Sequence, residues 1–279
     1  MMAGLALLSS LLWGTADFLG GALAKRFAAL AVTGASQAIG LLIGVSALIV
    51  TSDWKAPNLS FSGYVVCGIC AGAAGFIGLV SYYAGLSTGK MGVIAPITSL
   101  SAIIPVTYGF IQGERPQALQ LGGMVIALLG CFLASGPELR SGVSAKQLLL
   151  GALTAVMFGL ALIFMARGAK VDSLLTMTTM RCTTVLVAIG IAIKVRGVGG
   201  FALRDLPTLA AIGAADFLAN YTLGVATTKG LVSIAMVLGS VFPIVTTILA
   251  FKFLNERLKR EQYLGVVLAV VGVSCISLA

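Results

Sequence analysis

Ten stretches of about twenty mostly apolar residues follow one another along the chain, with only short polar connections between them. Splitting at charges, prolines and polar clusters places them at 2–23, 29–50, 62–86, 91–112, 117–135, 147–166, 173–193, 207–228, 231–253 and 262–279. A helix needs about 20 such residues to cross the hydrocarbon of a bilayer. The longest connections fall around Ser52–Ser60, Gly136–Lys146 and Val195–Asp205, too short for a soluble domain. Composition agrees: 59% of residues are hydrophobic, 10% are charged, and the mean hydropathy is +1.07. A soluble domain carries about 25% charged residues. The expectation is an all-α integral membrane protein. The apolar N-terminus has no basic leader, so it reads as the first span rather than a signal peptide.

The net charge of +9 does not point to nucleic acid, because Lys and Arg fall mostly between the apolar runs. There they anchor helix ends and set orientation. Cys67 and Cys70 form a C-x-x-C inside "VVCGICAGAAGFIGLV", with no second ligand pair, so packing is expected rather than a metal or redox site. No cofactor is expected. Pro96 and Pro105 in the fourth segment and Pro243 in the ninth should bend their helices.

The chain repeats itself. Glu114, Arg115, Gln120, Gly123 and Gly130 recur as Glu256, Arg257, Gln262, Gly265 and Gly272, offset by 142 throughout. Both copies read E-R-x4-Q-x2-G-x6-G. "YYAGLSTGKMGVIAP" resembles "YTLGVATTKGLVSIA", and Trp13-Gly14 matches Phe158-Gly159. Two halves result, 1–138 and 146–279, with five helices each. An odd number makes the second half enter the membrane from the opposite side. The ten helices therefore form two inverted five-helix repeats, an architecture of secondary transporters with a site near the midplane.

Together "LLWGTADF", the "P…GER…Q…G" pattern of helices four and five, and its "P…NER…Q…G" copy in helices nine and ten resemble the EamA branch of the drug/metabolite transporter superfamily. The resemblance covers the whole chain. It implies four helices of each half around a central cavity, with the fifth and tenth peripheral. It implies transport of amino acids, other metabolites or drugs, with coupling to protons or exchange, and export rather than import. The expected home is the cytoplasmic membrane of a bacterium or archaeon, with the chain a monomer or homodimer in the lipid bilayer and a small molecule as its substrate.

Three ionisable residues fall inside apolar runs: Asp17, Arg181 and Asp216. Charges at that depth are costly, about 2.5–3.5 kcal/mol each, and usually face a cavity or a partner. Asp17 shares a helix face with Trp13, and Asp216 shares one with Asn220. A carboxylate beside an indole can hold a cation. Arg181 could bind a substrate carboxylate, or neutralise Asp216 or Asp17. Asp17 could instead be a helix-end acid near Lys25 and Arg26. One of the aspartates is expected to exchange a proton during transport. Gln37, Tyr83 and Tyr108 are further cavity candidates, with Tyr82, Ser99, Thr179 and Tyr221. Glu114 and Glu256 are read as structural, capping neighbouring helix ends.

Enzyme readings fail on residue types. "GLSTG" matches a nucleophile elbow, but the chain has no histidine, and "GLSTGK" lacks the P-loop spacing. The two aspartates follow "GTA" and "GAA", not the Gly-x-Gly-Asp expected of an intramembrane aspartyl protease. For orientation, loops after odd helices hold twelve of the eighteen Lys and Arg, which places the termini outside. The family resemblance implies termini inside.

Overall fold

The computed structural model describes residues 1–87, 91–136, 144–195, 199–254 and 259–279. The described residues form helices and no strands. The first half contains α1 (Met2–Ala24), α2 (Ala29–Thr51), α3 (Tyr64–Ser87), α4 (Met91–Ser99), α5 (Ile103–Ile111) and α6 (Ala118–Ala134). The second contains α7 (Ala145–Ala169), α8 (Ser173–Val195), α9 (Leu206–Thr227), α10 (Val232–Gly239), α11 (Phe242–Leu254) and α12 (Arg260–Leu278). Among the described residues, nine helical stretches are long and apolar enough to cross a membrane. The tenth, α6, is apolar but has only 17 residues, a rise of about 25 Å.

The fourth and ninth spans are not continuous helices. A 3₁₀ turn, Leu100–Ala102, separates α4 from α5, and α10 ends at Gly239, before α11 begins at Phe242. Proline has no N–H to return to the carbonyl four residues earlier. Four residues before Pro105 lies Ser101, and four before Pro243 lies Gly239. Each break therefore sits one turn before the proline, at the residue whose carbonyl loses its helical donor, not at the proline itself. Pro96 is carried inside α4 without a break.

The halves interleave. α1 packs on α9, and α7 packs on α3 in the same way. α2 lies against α8 and α9, and α8 lies against α2 and α3. α11 leans on α1, while α4 and α5 lean on α7. With α10 also against α1, exchanging the halves returns these pairings, the signature of a two-fold relation. Across that axis α6 meets α12.

The repeated glycines make this last crossing. A Cβ on Gly130 would lie 2.3 Å from the Ala269 nitrogen, and one on Gly265 would lie 2.2 Å from the Ala134 nitrogen. Gly272 stands 2.4 Å, by the same measure, from the Ala127 nitrogen. Only small residues allow backbones this close. The repeated glutamines start the two helices: Gln120 accepts the Gln117 N–H at 2.9 Å, and Gln262 accepts the Lys259 N–H at 2.9 Å. Glu114 reaches across the halves and accepts N–H groups of Val232 (2.6 Å) and Ser233 (2.9 Å) at the start of α10. Carboxylates suit a helix N-terminus, where N–H groups lack partners. Its repeat counterpart, Glu256, lies outside the described residues, as does Lys90 of the "GLSTGK" segment.

Candidate functional site

The repeated aromatic–glycine pair of α1 and α7 shows how the centre is built. Gly14 lets α11 approach: a Cβ there would stand 2.6 Å from the Phe242 carbonyl oxygen. The Thr246 hydroxyl also donates to the Gly14 carbonyl at 3.1 Å. Gly159 does the same for α5, with Ile104 Cβ 2.6 Å away. The glycine face of each helix is therefore turned to the broken span of the other half. The preceding aromatics, Trp13 and Phe158, point into one central cavity.

That cavity encloses about 670 Å³ of empty space, open mouth included. Spans one to four and six to nine all contribute to its lining, and α6 and α12 contribute nothing. Its polar residues are Trp13, Asp17, Gln37, Ser101, Arg181, Thr184, Asp216 and Asn220. The rest of the wall is apolar or small, including Leu79, Phe158, Leu162, Met165, Met180 and Phe242.

Asp216, on α9, is the hub. Its Oδ1 accepts from the Trp13 indole (3.1 Å) and the Asn220 amide (3.1 Å). Its Oδ2 accepts from the Gln37 amide (2.8 Å) and pairs with Arg181 at 3.0 Å. A carboxylate offers about four acceptor sites, and here four donors occupy them. Arg181 also donates to Gln37 Oε1 at 2.6 Å and to the Asp216 carbonyl at 3.2 Å. Thr184 closes the ring, 3.4 Å from Gln37 Oε1. Four helices, α1, α2, α8 and α9, are thus tied by one polar network. A buried network of this kind fixes a unique geometry when each member is satisfied. Arg181 Nε is the exception. It has no partner and lies against Gly40, where an added Cβ would stand 3.2 Å from it.

Asp17 sits one turn beyond Trp13 on α1. It is buried, lines the same cavity, and among the described residues takes part in no ion pair. Arg26, beyond the end of α1, pairs with Asp205 at 3.2 Å. The Tyr82 hydroxyl donates a hydrogen bond to it, and Tyr83 lies close by.

Of the residues singled out from sequence, Trp13, Asp17, Gln37, Arg181, Asp216 and Asn220 come together in the cavity. Tyr83 does not line it. It is buried behind α1, where a Cβ on Gly20 would stand 2.2 Å from its hydroxyl. Tyr108 on α5 is half-buried and also outside the lining. Thr179 packs on Gly68 at the α3–α8 crossing, and Ser99 donates to the Pro96 carbonyl at 2.7 Å. Tyr82 is buried and Tyr221 is half-buried, and both stand outside the lining. Residues that sequence reasoning missed are Ser101, Thr184 and the apolar wall. The i+3 spacing of Thr184 from Arg181 could have found it, and the Pro105 offset could have found Ser101.

The sequence pattern of the EamA-like transporter family matches residues 1–136 and again 145–278. A solved structure described as "Crystal structure of protein" superposes with a TM-score of 0.76 at 20% identity, over 97% of this chain and 96% of that one. At that identity the likeness shows the fold alone. No curated protein matches the chain.

Proposed function

The chain belongs to the EamA-like transporter family, membrane transporters of small molecules rather than enzymes, and from that premise we propose that it is a secondary carrier coupled to protons or to exchange. The carrying observation is Asp17: a buried carboxylate without a cationic partner, in a cavity between two interleaved inverted halves. With both aspartates ionised, the lining holds two negative charges and one positive. An uncompensated charge at low dielectric is costly. A proton on Asp17, or a cationic group of the cargo beside it, makes the cavity neutral. Alternation between these two states is the coupling step of a carrier that exchanges one for the other.

The two-fold relation supports alternating access. The halves can trade conformations, so that a cavity closed to one face opens to the other. The broken spans, α4–α5 and α10–α11, supply bends at matched places in the two halves. The cargo on this reading is a small amino-acid-like metabolite or drug, exported across the cytoplasmic membrane of a bacterium or archaeon.

Reconstitution into liposomes tests the reading. Saturable counterflow of a bound cargo is expected, with accumulation driven by a pH gradient. Asp17→Asn should lose the response to the gradient, with whatever counterflow remains independent of pH. Full gradient-driven accumulation in both Asp17→Asn and Asp216→Asn would overturn proton coupling, and flux without counterflow would indicate a channel.

A further inference from the structure

We propose that the cavity takes an organic monocation with an apolar or aromatic body, a protonated or quaternary amine, seated with its charge at Asp17. The inference rests on the carrier reading and narrows its cargo. A carboxylate-bearing cargo needs a cation in the wall, and the one in the lining is Arg181. Arg181 is 2% exposed, and its terminal nitrogens are committed to Gln37 and Asp216. Freeing it would break the network that ties four helices. Among the described residues Asp17 has no cationic partner, and the Tyr82 hydroxyl that donates to it leaves acceptor sites free. An ammonium placed there gains a charge-assisted contact. Trp13 and Phe242, ring centroids 6.1 Å apart, offer faces and edges nearby for a cation–π contact. Leu162, Met165 and Met180 cover the cavity's far side. Methionine adapts to varied apolar shapes, so the site accommodates a family of bodies rather than one.

Three probes of one shape separate the charge classes: 2-phenylethylamine, phenylalanine and 3-phenylpropanoate. Each is titrated calorimetrically into purified protein in lipid nanodiscs, with melting curves confirming that every variant is folded. The amine is expected to bind at least about tenfold tighter than the other two, a difference of about 1.4 kcal/mol. Asp17→Asn should weaken it by a similar factor, and Asp17→Glu should restore part of it. Equal or tighter binding of the zwitterion or anion overturns the proposal, as does unchanged amine binding in folded Asp17→Asn, or binding of none of the three. Counterflow of the same probes separates the two readings. Phenylalanine counterflow without amine binding leaves the carrier standing and removes the cargo class. Amine binding without any counterflow does the reverse.

A second observation, independent of the cavity, lies at the two membrane faces. Because successive spans alternate in direction, the α1–α2 and α8–α9 connections share one face, and the α2–α3 and α7–α8 connections share the other. On the first face Arg26 pairs with Asp205 at 3.2 Å, and Phe27 stacks on Phe201 at 4.7 Å. On the second face Lys55 pairs with Asp172, and Arg167 lies 4.7 Å over the Phe61 ring. In each case the longer loop of one half is tied to the short connection of the other or the helix end beside it, through one ion pair and one aromatic contact. The signs are exchanged: base in the turn on the first face, acid in the turn on the second. Asp205 and Asp172 are both buried.

We infer that these straps are latches released in alternation, one for each face. Locking each in turn tests this. In a cysteine-free background, Arg26→Cys with Asp205→Cys, and separately Lys55→Cys with Asp172→Cys, are bridged with a short bismaleimide. Each bridge is expected to lower counterflow at least about tenfold relative to the same unbridged variant, while binding of 2-phenylethylamine persists. Full counterflow with either bridge in place would make that strap a static tie and overturn the inference.

Discussion

At the α6–α12 crossing the two halves contribute the same residues, Gly123 and Gly130 from one and Gly265 and Gly272 from the other. In the cavity they contribute different ones. Trp13 stands where the second half has Phe158, and Asp17 where it has Leu162, by the same 145-residue offset. All four line the cavity. Arg181 corresponds by that offset to Ser36 on α2. Identical glycines make a backbone contact that either half can form. Unlike residues give a cavity with one charged side and one greasy side. The shared residues pack the crossing, and the proposed chemistry is assigned to the differing ones.

Four substitutions sharpen that division, from the largest effect on stability to the smallest. Arg181→Ala leaves the half-buried Asp216 without its cation and should cost at most about 3–5 kcal/mol. Chemical denaturation in detergent measures this, and Arg181→Gln combined with Asp216→Asn should recover much of the loss. At the crossing, Gly130→Val drives a side chain into the Ala269 backbone. It should cost at least about 1–3 kcal/mol and leave the charge preference of the remaining folded protein unchanged. A changed ratio of amine to zwitterion binding there would break the division. Asp17→Asn should do the opposite, with the melting temperature nearly kept and the pH-gradient response lost.

The smallest effect separates the two straps. The hydrogen bond that Lys55 donates to Asp172, with Asp53 3.6 Å away, raises the Lys55 ammonium above its ordinary 10.5. A raised base stabilises below its unfolded value, and its contribution fades as pH climbs through the folded one. The second-face strap should therefore loosen above about pH 10.5. The Arg26 strap should hold, since a guanidinium does not titrate in this range. Trp54, adjacent to Lys55 and exposed, reports the change by fluorescence once Trp13 is replaced by Phe. Lys55→Arg should abolish the transition.

Which residues could be placed from sequence alone follows from the solvent. The spans were legible because hydrocarbon demands long apolar runs, and the repeat because both halves keep the same glycines. Which side chains face the cavity was legible only where a charge marked the face. Tyr83 and Tyr108 were misplaced because membrane helices are apolar on both their lipid and their core sides, so periodicity does not name the inner face. The apolar wall, with Leu162 and Met165, was invisible for the same reason. The choice among partners for Arg181 needed three-dimensional distances, as did the part played by Gln37 between Arg181 and Asp216. The helix breaks stand about four residues before the prolines that cause them, because the carbonyl one turn earlier is the group that loses its helical donor.

The most direct test counts protons. Purified protein in weakly buffered nanodiscs is titrated with 2-phenylethylamine while released protons are measured. If Asp17 holds either a proton or the charge of the cargo, each amine bound should displace a proton at the acid end of the working range, with less displaced as pH rises, and Asp17→Asn should release none. Amine binding without proton release at any pH, or equal release from Asp17→Asn, would contradict the account.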